Sequence, residues 1–350
     1  MVMELNKTPE RILVLKPSAI GDIANALPFL EGIRQRYPSS KIGWLINQSY
    51  TQLLAKHEAI NELFPFDRNS WKNGIFKGIR SFSSIIGKIR SFRPDISIDL
   101  QCLLRTGIIS RLSGAPIRIG LEDCREGSRA FYTHIVPYPN PGNMHSVERY
   151  WEAAKFLGCQ GKAPNGSFPR TYDPSFQSVL ENLPRPWVGC CPGARWRTKQ
   201  WKLEYFCDLL SKAINITKGS VILFGGPDDV ESATKIQNAL SNKIPLTNLV
   251  GKTSLSGLVD LISSLDFTFS NDTGPLHIAV AQGIPVISPF LCTKVAWNGP
   301  YGQFDNALET SVPCKASYLM KCDRMICQDD LTPSKFHPIV ERICEPWKKP

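Results

Sequence analysis

Short apolar runs alternate with amphipathic segments along the first half of the chain. The apolar runs cover residues 11–15, 42–46, 96–100 and 117–119. The first run is typical of a strand buried in a parallel sheet, and the later runs are strand-like. After the first run, residues 23–37 place apolar side chains on one helical face: Ala26, Leu27, Leu30 and Ile33. The alternation predicts βαβ units and a mainly parallel sheet.

The same alternation restarts after a segment without periodicity. Residues 161–186 are rich in Pro, Gly, Asn and Ser, a composition typical of a linker. Further strand-like runs follow at 187–191, 221–224, 249–250 and 266–270. We therefore predict an α/β protein of two Rossmann-like domains, 1–170 and 171–350, with mainly parallel sheets facing a central cleft.

The strongest local signal lies in residues 266–290, where a strand is followed by Ser-Asn-Asp-Thr-Gly. Asp272 and Thr273 suit a helix N-cap, Pro275 suits the first turn, and Gly283 suits the left-handed position after about two turns of helix. A helix N-terminus at the carboxyl end of a strand offers unpaired N–H groups to a phosphate or pyrophosphate. A well-capped crossover without a ligand is the alternative.

A similar arrangement follows the first strand, where Lys16 and Gly21 precede Asp22 at the start of the helix. The helix dipole and local N–H groups keep a carboxylate ionised at this position. An accessible carboxylate can act as a base on a sugar hydroxyl, and a simple helix cap is the alternative. Gly21 allows close backbone approach, and Lys16 is expected either to pair with Asp22 or to bind a phosphate.

Composition indicates a cytoplasmic, globular protein. The chain has 350 residues and 42% apolar content, enough for two packed cores. The amino terminus has no apolar signal core, and no segment reaches about 18 uninterrupted apolar residues. Eleven cysteines without an export signal indicate reduced thiols rather than a disulfide framework.

The net charge of +10 is concentrated in the first 170 residues, which hold 23 Lys and Arg against 14 Asp and Glu. Residues 72–93 contain six cations and no acid, interleaved with apolar side chains. Such a basic amphipathic segment suits a membrane surface, an anionic substrate or nucleic acid, or is merely a solvated helix face. The cations are Lys72, Lys77, Arg80, Lys88, Arg90 and Arg93.

Several other chemistries have no motif in this sequence. It contains no G-x-S-x-G, no H-E-x-x-H and no G-x-x-x-x-G-K-[ST], and its five histidines are dispersed. It also lacks D-x-D, so nothing indicates a cation-dependent sugar transferase. This pattern agrees with departure of a diphosphate assisted by a helix terminus and basic side chains.

Seven segments, in order and at comparable spacing over nearly the whole chain, resemble glycosyltransferase family 9, the heptosyltransferases of the lipopolysaccharide inner core. The segments are KPSAIGDIANALP (16–28), DLQCLLRT (99–106), REGSRAFY (125–132), HSVERY (145–150), PGARWRTKQW (192–201), FGGPDD (224–229) and SNDTGPLHIA (270–279).

The resemblance implies a GT-B fold and an inverting, metal-independent transfer of heptose from ADP-heptose to the lipopolysaccharide inner core, without a cofactor. The first half would bind the anionic glycolipid acceptor at the inner membrane periphery, with Asp22 as the base, and the second half would bind the donor. No nucleic acid partner is expected. The implied donor contacts are Gly21, Gly193, Ala194, Arg195, Lys199, Asp229, Asp272, Thr273, Gly274 and His277. The implied acceptor contacts are Lys16, Ser18, Lys77, Arg80, Lys88, Arg105 and Arg125.

The chain departs from the family pattern at a few positions. Ala194 and Arg195 stand where some members have a hydroxyl pair, and Ala19 replaces one of two serines. The cysteine-rich stretch keeps three thiols, which would bind zinc only with a fourth ligand and are otherwise small core residues: Cys314, Cys322 and Cys327.

Three alternative functions remain open at this point. The same fold can use another nucleotide sugar or another acceptor. A nucleotide-sugar epimerase would consume the donor without any acceptor. A non-catalytic protein would bind an anionic glycolipid or nucleic acid without turnover.

Overall fold

Two parallel β-sheets, each of six strands, organise the part of the chain that the structure describes. The computed structural model describes residues 2–5, 7–140, 142–173 and 176–348. The chain divides into two units, Met1–Pro169 and Arg170–Pro350, with one sheet in each. The predicted α/β class and the parallel strand pairing are confirmed.

The first unit has the strand order β3-β2-β1-β4-β5-β6. Its central strand is completely buried from Ile12 to Leu15, as expected for a strand covered on both faces. The strands are β1 (Arg11–Leu15), β2 (Lys41–Asn47), β3 (Glu62–Phe66), β4 (Ile96–Asp99), β5 (Ile117–Leu121) and β6 (His134–Val136). The helices are α1 (Ile20–Arg36), α2 (Thr51–Leu54), α3 (Ile75–Phe92), α4 (Leu104–Leu112) and α5 (Ser146–Phe156).

The second unit has the strand order β12-β11-β10-β7-β8-β9. Its strands are β7 (Trp187–Cys191), β8 (Ser220–Leu223), β9 (Leu246–Asn248), β10 (Phe267–Ser270), β11 (Val286–Phe290) and β12 (Ala307–Glu309). Its helices are α6 (Gln177–Glu181), α7 (Leu203–Thr217), α8 (Val230–Leu240), α9 (Leu255–Ser264), α10 (Gly274–Ala281), α11 (Val295–Asn298), α12 (Ile326–Asp330) and α13 (Pro333–Cys344).

The sequence prediction was incomplete mainly at the sheet edges. Strands β3, β6 and β12, each at an edge, were not predicted, and neither was β11. The strand predicted at 249–250 was wrong in position, because β9 ends at Asn248. The predicted linker 161–186 contains helix α6, and its residues 174 and 175 lie outside the described part of the chain. Edge strands are short and partly exposed, so they lack a continuous apolar run.

None of the helices in the described ranges combines the length and the apolar character needed to cross a lipid bilayer.

Candidate functional site

Asp22 lies in the first turn of α1, because that helix begins at Ile20, three residues earlier than predicted. The helix N-cap is Ala19, which has no side-chain acceptor. Asp22 compensates locally: its Oδ2 accepts a hydrogen bond from the Ala19 N–H at 3.0 Å. Its side chain is nevertheless 40% exposed, so a substrate hydroxyl can approach it.

Lys16 directly follows strand β1 and is only 1% exposed. Its Nζ lies 3.5 Å from Oδ1 of Asp22 and 3.1 Å from Oε1 of Gln101. Burial opposes the charge of Lys16, but the Asp22 carboxylate and Tyr150 outweigh it, so the pKa of Lys16 is raised. Of the two predicted roles, the contacts favour pairing with Asp22 over binding a phosphate.

Helix α5 supplies two residues of this site that the sequence analysis did not identify. The Tyr150 hydroxyl donates to Oδ1 of Asp22 at 3.3 Å and accepts from the Arg149 guanidinium at 3.1 Å. Arg149 is in turn ion-paired with Asp123 on the loop after β5. Their segments belonged to the family resemblance, but only the packing of α5 against α1 brings them to Asp22.

A cavity of about 170 Å³ opens beside this cluster in the first unit. Ser18 and Arg105, both predicted acceptor contacts, line it together with Gln101 and Glu126. Apolar walls come from the β2, β3 and α4 segments: Leu45, Phe66, Leu103 and Ile109. A hydroxyl, an amide, one cation, one carboxylate and apolar walls suit a ligand that has polar groups and a hydrophobic part.

The remaining predicted acceptor residues do not line this cavity. Lys77, Arg80 and Lys88 lie on the exposed face of α3, and the exposed Arg125 contacts Cys102 only through its backbone N–H. The predicted amphipathic character holds for the carboxyl-terminal half of α3, where three isoleucines enter the core: Ile85, Ile86 and Ile89. Its first turns differ, since Ile75, Phe76 and Ile79 are exposed.

In the second unit, α10 begins at Gly274, and a three-residue turn, 271–273, connects it to β10. Pro275 occupies the first turn and Gly283 has φ +74°, as predicted. Thr273 is the N-cap, as predicted, but its side chain makes no cap bond, and the Asp272 carboxylate contacts Lys199 and Thr293 instead. The first N–H groups of α10 thus receive no bond from the Thr273 side chain, which suits an anion.

Asp272 is the centre of a buried polar cluster. Its Oδ2 lies 2.7 Å from Nζ of Lys199 and accepts from the Thr293 hydroxyl at 2.6 Å. Nε2 of His277 lies 3.8 Å from Oδ1. Burial would raise the pKa of Asp272, but His277 and the Lys199 ammonium lower it to about 2. Three residues predicted to bind the donor substrate therefore meet here. Thr293, which follows β11, also belongs to the cluster and was not predicted from the sequence.

One ring nitrogen of His277 is buried without a hydrogen-bond partner. The residue is 7% exposed, and no partner for its Nδ1 is found among the described residues. A buried polar atom without a partner is uncommon in folded proteins. The atom therefore indicates a place where a ligand oxygen or a water completes the site.

Gly193 and Asp229, two other predicted donor residues, are in contact. The Asp229 carboxylate occupies the space that a Cβ at position 193 would need, so a larger residue there would displace Asp229. Oδ2 of Asp229 accepts from the Gly226 N–H at 2.9 Å. Nearby, Ala194 is buried and Arg195 is exposed. Gly21, also predicted as a donor contact, lies in the first unit beside Asp22.

The three late cysteines form no metal site in the structure. Within the described residues, no group of three or more His, Cys, Asp or Glu side chains is arranged to hold a metal ion. Cys314 is exposed, Cys322 is half-buried and Cys327 is buried.

Comparison with known proteins agrees with this arrangement. The family described as glycosyltransferase family 9 (heptosyltransferase) matches residues 83–325. A lipopolysaccharide core heptosyltransferase of Haemophilus influenzae, OpsX, is 27% identical over 309 residues, covering 86% of this chain and 85% of OpsX.

Two solved structures illustrate the shared fold. The family 9 glycosyl transferase of Veillonella parvula has a TM-score of 0.80 at 21% identity, with 96% of this chain and 97% of that chain covered. The E. coli heptosyltransferase WaaC with ADP-2-deoxy-2-fluoro heptose has a TM-score of 0.72 at 22% identity, with 95% and 99% covered. The resemblance noted in the sequence and the GT-B fold that it implied are confirmed.

Proposed function

This chain belongs to glycosyltransferase family 9, the heptosyltransferases, and we propose that it transfers a heptose from ADP-heptose to the lipopolysaccharide inner core with inversion at the anomeric carbon. Relatives support both substrates: OpsX is a lipopolysaccharide core heptosyltransferase, and WaaC was solved with an ADP-heptose analogue. The observation that carries the proposal is the accessible Asp22 carboxylate beside the buried Lys16 cation and a cavity with both polar and apolar walls.

The first unit would bind the acceptor and activate it. The acceptor hydroxyl gives its proton to Asp22 while its oxygen bonds to the anomeric carbon of the donor. The bond from that carbon to the diphosphate breaks on the opposite face, and the leaving diphosphate keeps the electron pair. One displacement therefore inverts the anomeric centre, and the exposed Arg105 is suited to an anionic group of the acceptor.

The second unit would bind the donor and stabilise the departing diphosphate. The N-terminus of α10 and the Lys199 ammonium supply positive charge where negative charge develops. Asp272 orients Lys199, and the unpartnered Nδ1 of His277 is suited to an oxygen of the donor. None of these steps needs a metal ion.

Direct assay of the purified protein tests the function. We expect ADP-heptose to be consumed only when a truncated core lipid is present. The anomeric configuration of the heptose in the product should be opposite to its configuration in the donor. Turnover should survive EDTA. Preference for another nucleotide sugar would support the alternative donor, and donor conversion without any acceptor would support an epimerase instead.

Donor binding should depend on His277. We expect His277→Ala to weaken ADP-heptose binding about tenfold by calorimetry, because one buried hydrogen bond to the donor is lost. His337→Ala is the matched control, since His337 pairs with Asp208 on the surface of the same unit. If the wild type and a correctly folded His277→Ala variant bind ADP-heptose with equal affinity, His277 does not contact the donor.

The basic face of α3 would hold the enzyme close to its anionic acceptor at the membrane surface. Lys77, Arg80 and Lys88 are all exposed there, and the first unit carries most of the net charge. Attraction between such charges and a phosphorylated lipid is screened over a Debye length of about 8 to 10 Å at moderate salt. This supports a peripheral position at the cytoplasmic face of the inner membrane.

Reversing these three charges should weaken acceptor recognition. We expect Lys77→Glu, Arg80→Glu and Lys88→Glu together to raise the acceptor KM severalfold and to flatten its salt dependence, with the donor KM unchanged. The charge-matched control reverses three exposed cations of the second unit: Lys218, Lys235 and Lys243. Acceptor kinetics and vesicle binding like those of the wild type would mean that these cations are only a solvated helix face.

A further inference from the structure

Each oxygen of the Asp22 carboxylate has its own contacts, one with a neighbour in the sequence and the other with a distant residue. Oδ2 accepts from the Ala19 N–H, a neighbour in the same turn. Oδ1 faces Tyr150, which is 128 residues away, and Lys16. A general base must present its carboxylate oxygen to the substrate proton in a fixed direction, so the groups that set its rotation affect the rate.

Tyr150 and Lys16 both lie at Oδ1, and Tyr150 is the one that makes a directional hydrogen bond to it. Its hydroxyl lies 3.3 Å from Oδ1, whereas the Lys16 ammonium lies 3.5 Å away and acts mainly through its charge. Lys16 also lies 5.0 Å from the centre of the Tyr150 ring, so the cation packs against the same aromatic group. Tyr150 is 0% exposed and therefore has little freedom to rotate away.

Arg149 and Asp123 fix the Tyr150 hydroxyl in turn. Arg149 donates to the Tyr150 oxygen at 3.1 Å, which leaves the phenolic hydrogen directed at Asp22. The Arg149 pKa is raised despite burial, because Tyr150 and Asp123 favour its charged form. The chain of contacts runs from Asp123 through Arg149 and Tyr150 to Asp22 and crosses three segments of the first unit.

We propose that Tyr150 is a positioning residue for the base: its hydroxyl, oriented by Arg149, binds Oδ1 of Asp22 and fixes the rotation in which the carboxylate receives the acceptor proton. This inference rests on the proposed function. Tyr150 keeps its own proton throughout, and the acceptor proton passes to Asp22 alone. The donor to Oδ1 also stabilises the ionised carboxylate, so the base stays ionised to lower pH.

Tyr150→Phe tests this assignment, because it removes the hydroxyl and keeps the ring. We expect kcat to fall about 10- to 100-fold, as a misaligned catalytic group costs up to about that much. The donor KM should stay unchanged. The acidic limb of the kcat/KM profile should move to higher pH, because the carboxylate has lost a donor that favours its ionised form. A residue that only supports the fold would not move this limb.

Tyr37→Phe is the matched control for the loss of a buried hydroxyl. Tyr37 is also buried in the first unit, but its hydroxyl donates to the Leu157 carbonyl at 2.6 Å. We expect Tyr37→Phe to lower Tm at least as much as Tyr150→Phe does, with kcat and the pH profile as in the wild type.

A double variant shows whether Tyr150 acts through Asp22. In the Asp22→Asn background, adding Tyr150→Phe should cause no further fall in kcat, since the group that Tyr150 positions is already inactive. Additive losses, or a Tyr150→Phe variant with wild-type kcat and pH profile, would overturn the inference while leaving the function intact. A wild-type protein that transfers no sugar to any core acceptor would overturn the function and this inference with it.

Discussion

Replacing Asp22 by asparagine is expected to lower kcat roughly 10²- to 10⁴-fold, the usual contribution of a general base, and to leave donor affinity within a few-fold of the wild type. Asparagine keeps the size of the side chain and an oxygen for the Ala19 N–H, so α1 should remain intact. It cannot take up the acceptor proton. Single-turnover rates and donor calorimetry on the same preparation separate the two effects.

The matched control for this change is Asp67→Asn. Asp67 also accepts a backbone N–H at the start of a helical turn, from Asn69 at 2.8 Å, and lies in the same unit without lining the cavity. We expect it to keep wild-type kcat. If Asp22→Asn behaves in the same way, Asp22 is a helix-capping residue and another group must activate the acceptor.

Replacing Lys199 by methionine is expected to destabilise the second unit by about 3 kcal/mol, because it leaves the buried Asp272 carboxylate without its cation. Asp272 is 4% exposed, so water cannot take the place of the ammonium. For a unit of this size, the loss corresponds to a fall in Tm of roughly 6 to 12 °C by scanning calorimetry. Donor binding should weaken as well, since Lys199 supplies positive charge at the diphosphate site.

The pH dependence of this effect follows from the sign of the Asp272 shift. Its pKa is about 2 in the folded protein and about 3.9 in an unfolded chain, so folding favours the ionised form. The stabilisation is complete above about pH 4 and is lost as the pH falls towards 2. The difference in unfolding free energy between the wild type and Lys199→Met should therefore be constant near neutral pH and should shrink in acid.

Lys202→Met provides the control for the loss of a lysine. Lys202 pairs with Asp329 at 2.6 Å, but both side chains are at the surface, where such pairs contribute little. We expect no measurable change in Tm. A Lys199→Met variant as stable as this control would show that Thr293 and His277 are sufficient to hold the Asp272 carboxylate.

The central strands were predictable because burial on both faces requires a continuous apolar run. Strands β1 and β2 of the first sheet and β7 of the second lie inside their sheets and follow that rule. Strands β4 and β10 are also internal, but they alternate apolar and polar residues. The strands missed at the edges have three to five residues and at least one exposed or half-buried position. Pairing with one neighbour, rather than hydrophobicity, makes them strands.

The sequence by itself determined the local chemistry of the site: a carboxylate near the start of α1, and a strand followed by a helix with Thr273 at its N-cap. Both depend on residues a few positions apart, whose geometry the backbone fixes. Only the tertiary structure decided which groups these residues contact. Asp272 turned out to bind Lys199 and Thr293 rather than cap its own helix, and Asp22 to bind Lys16 and Tyr150. The reason is that a buried charge must find its partner across the packed core, and that partner comes from whichever segment the topology brings alongside.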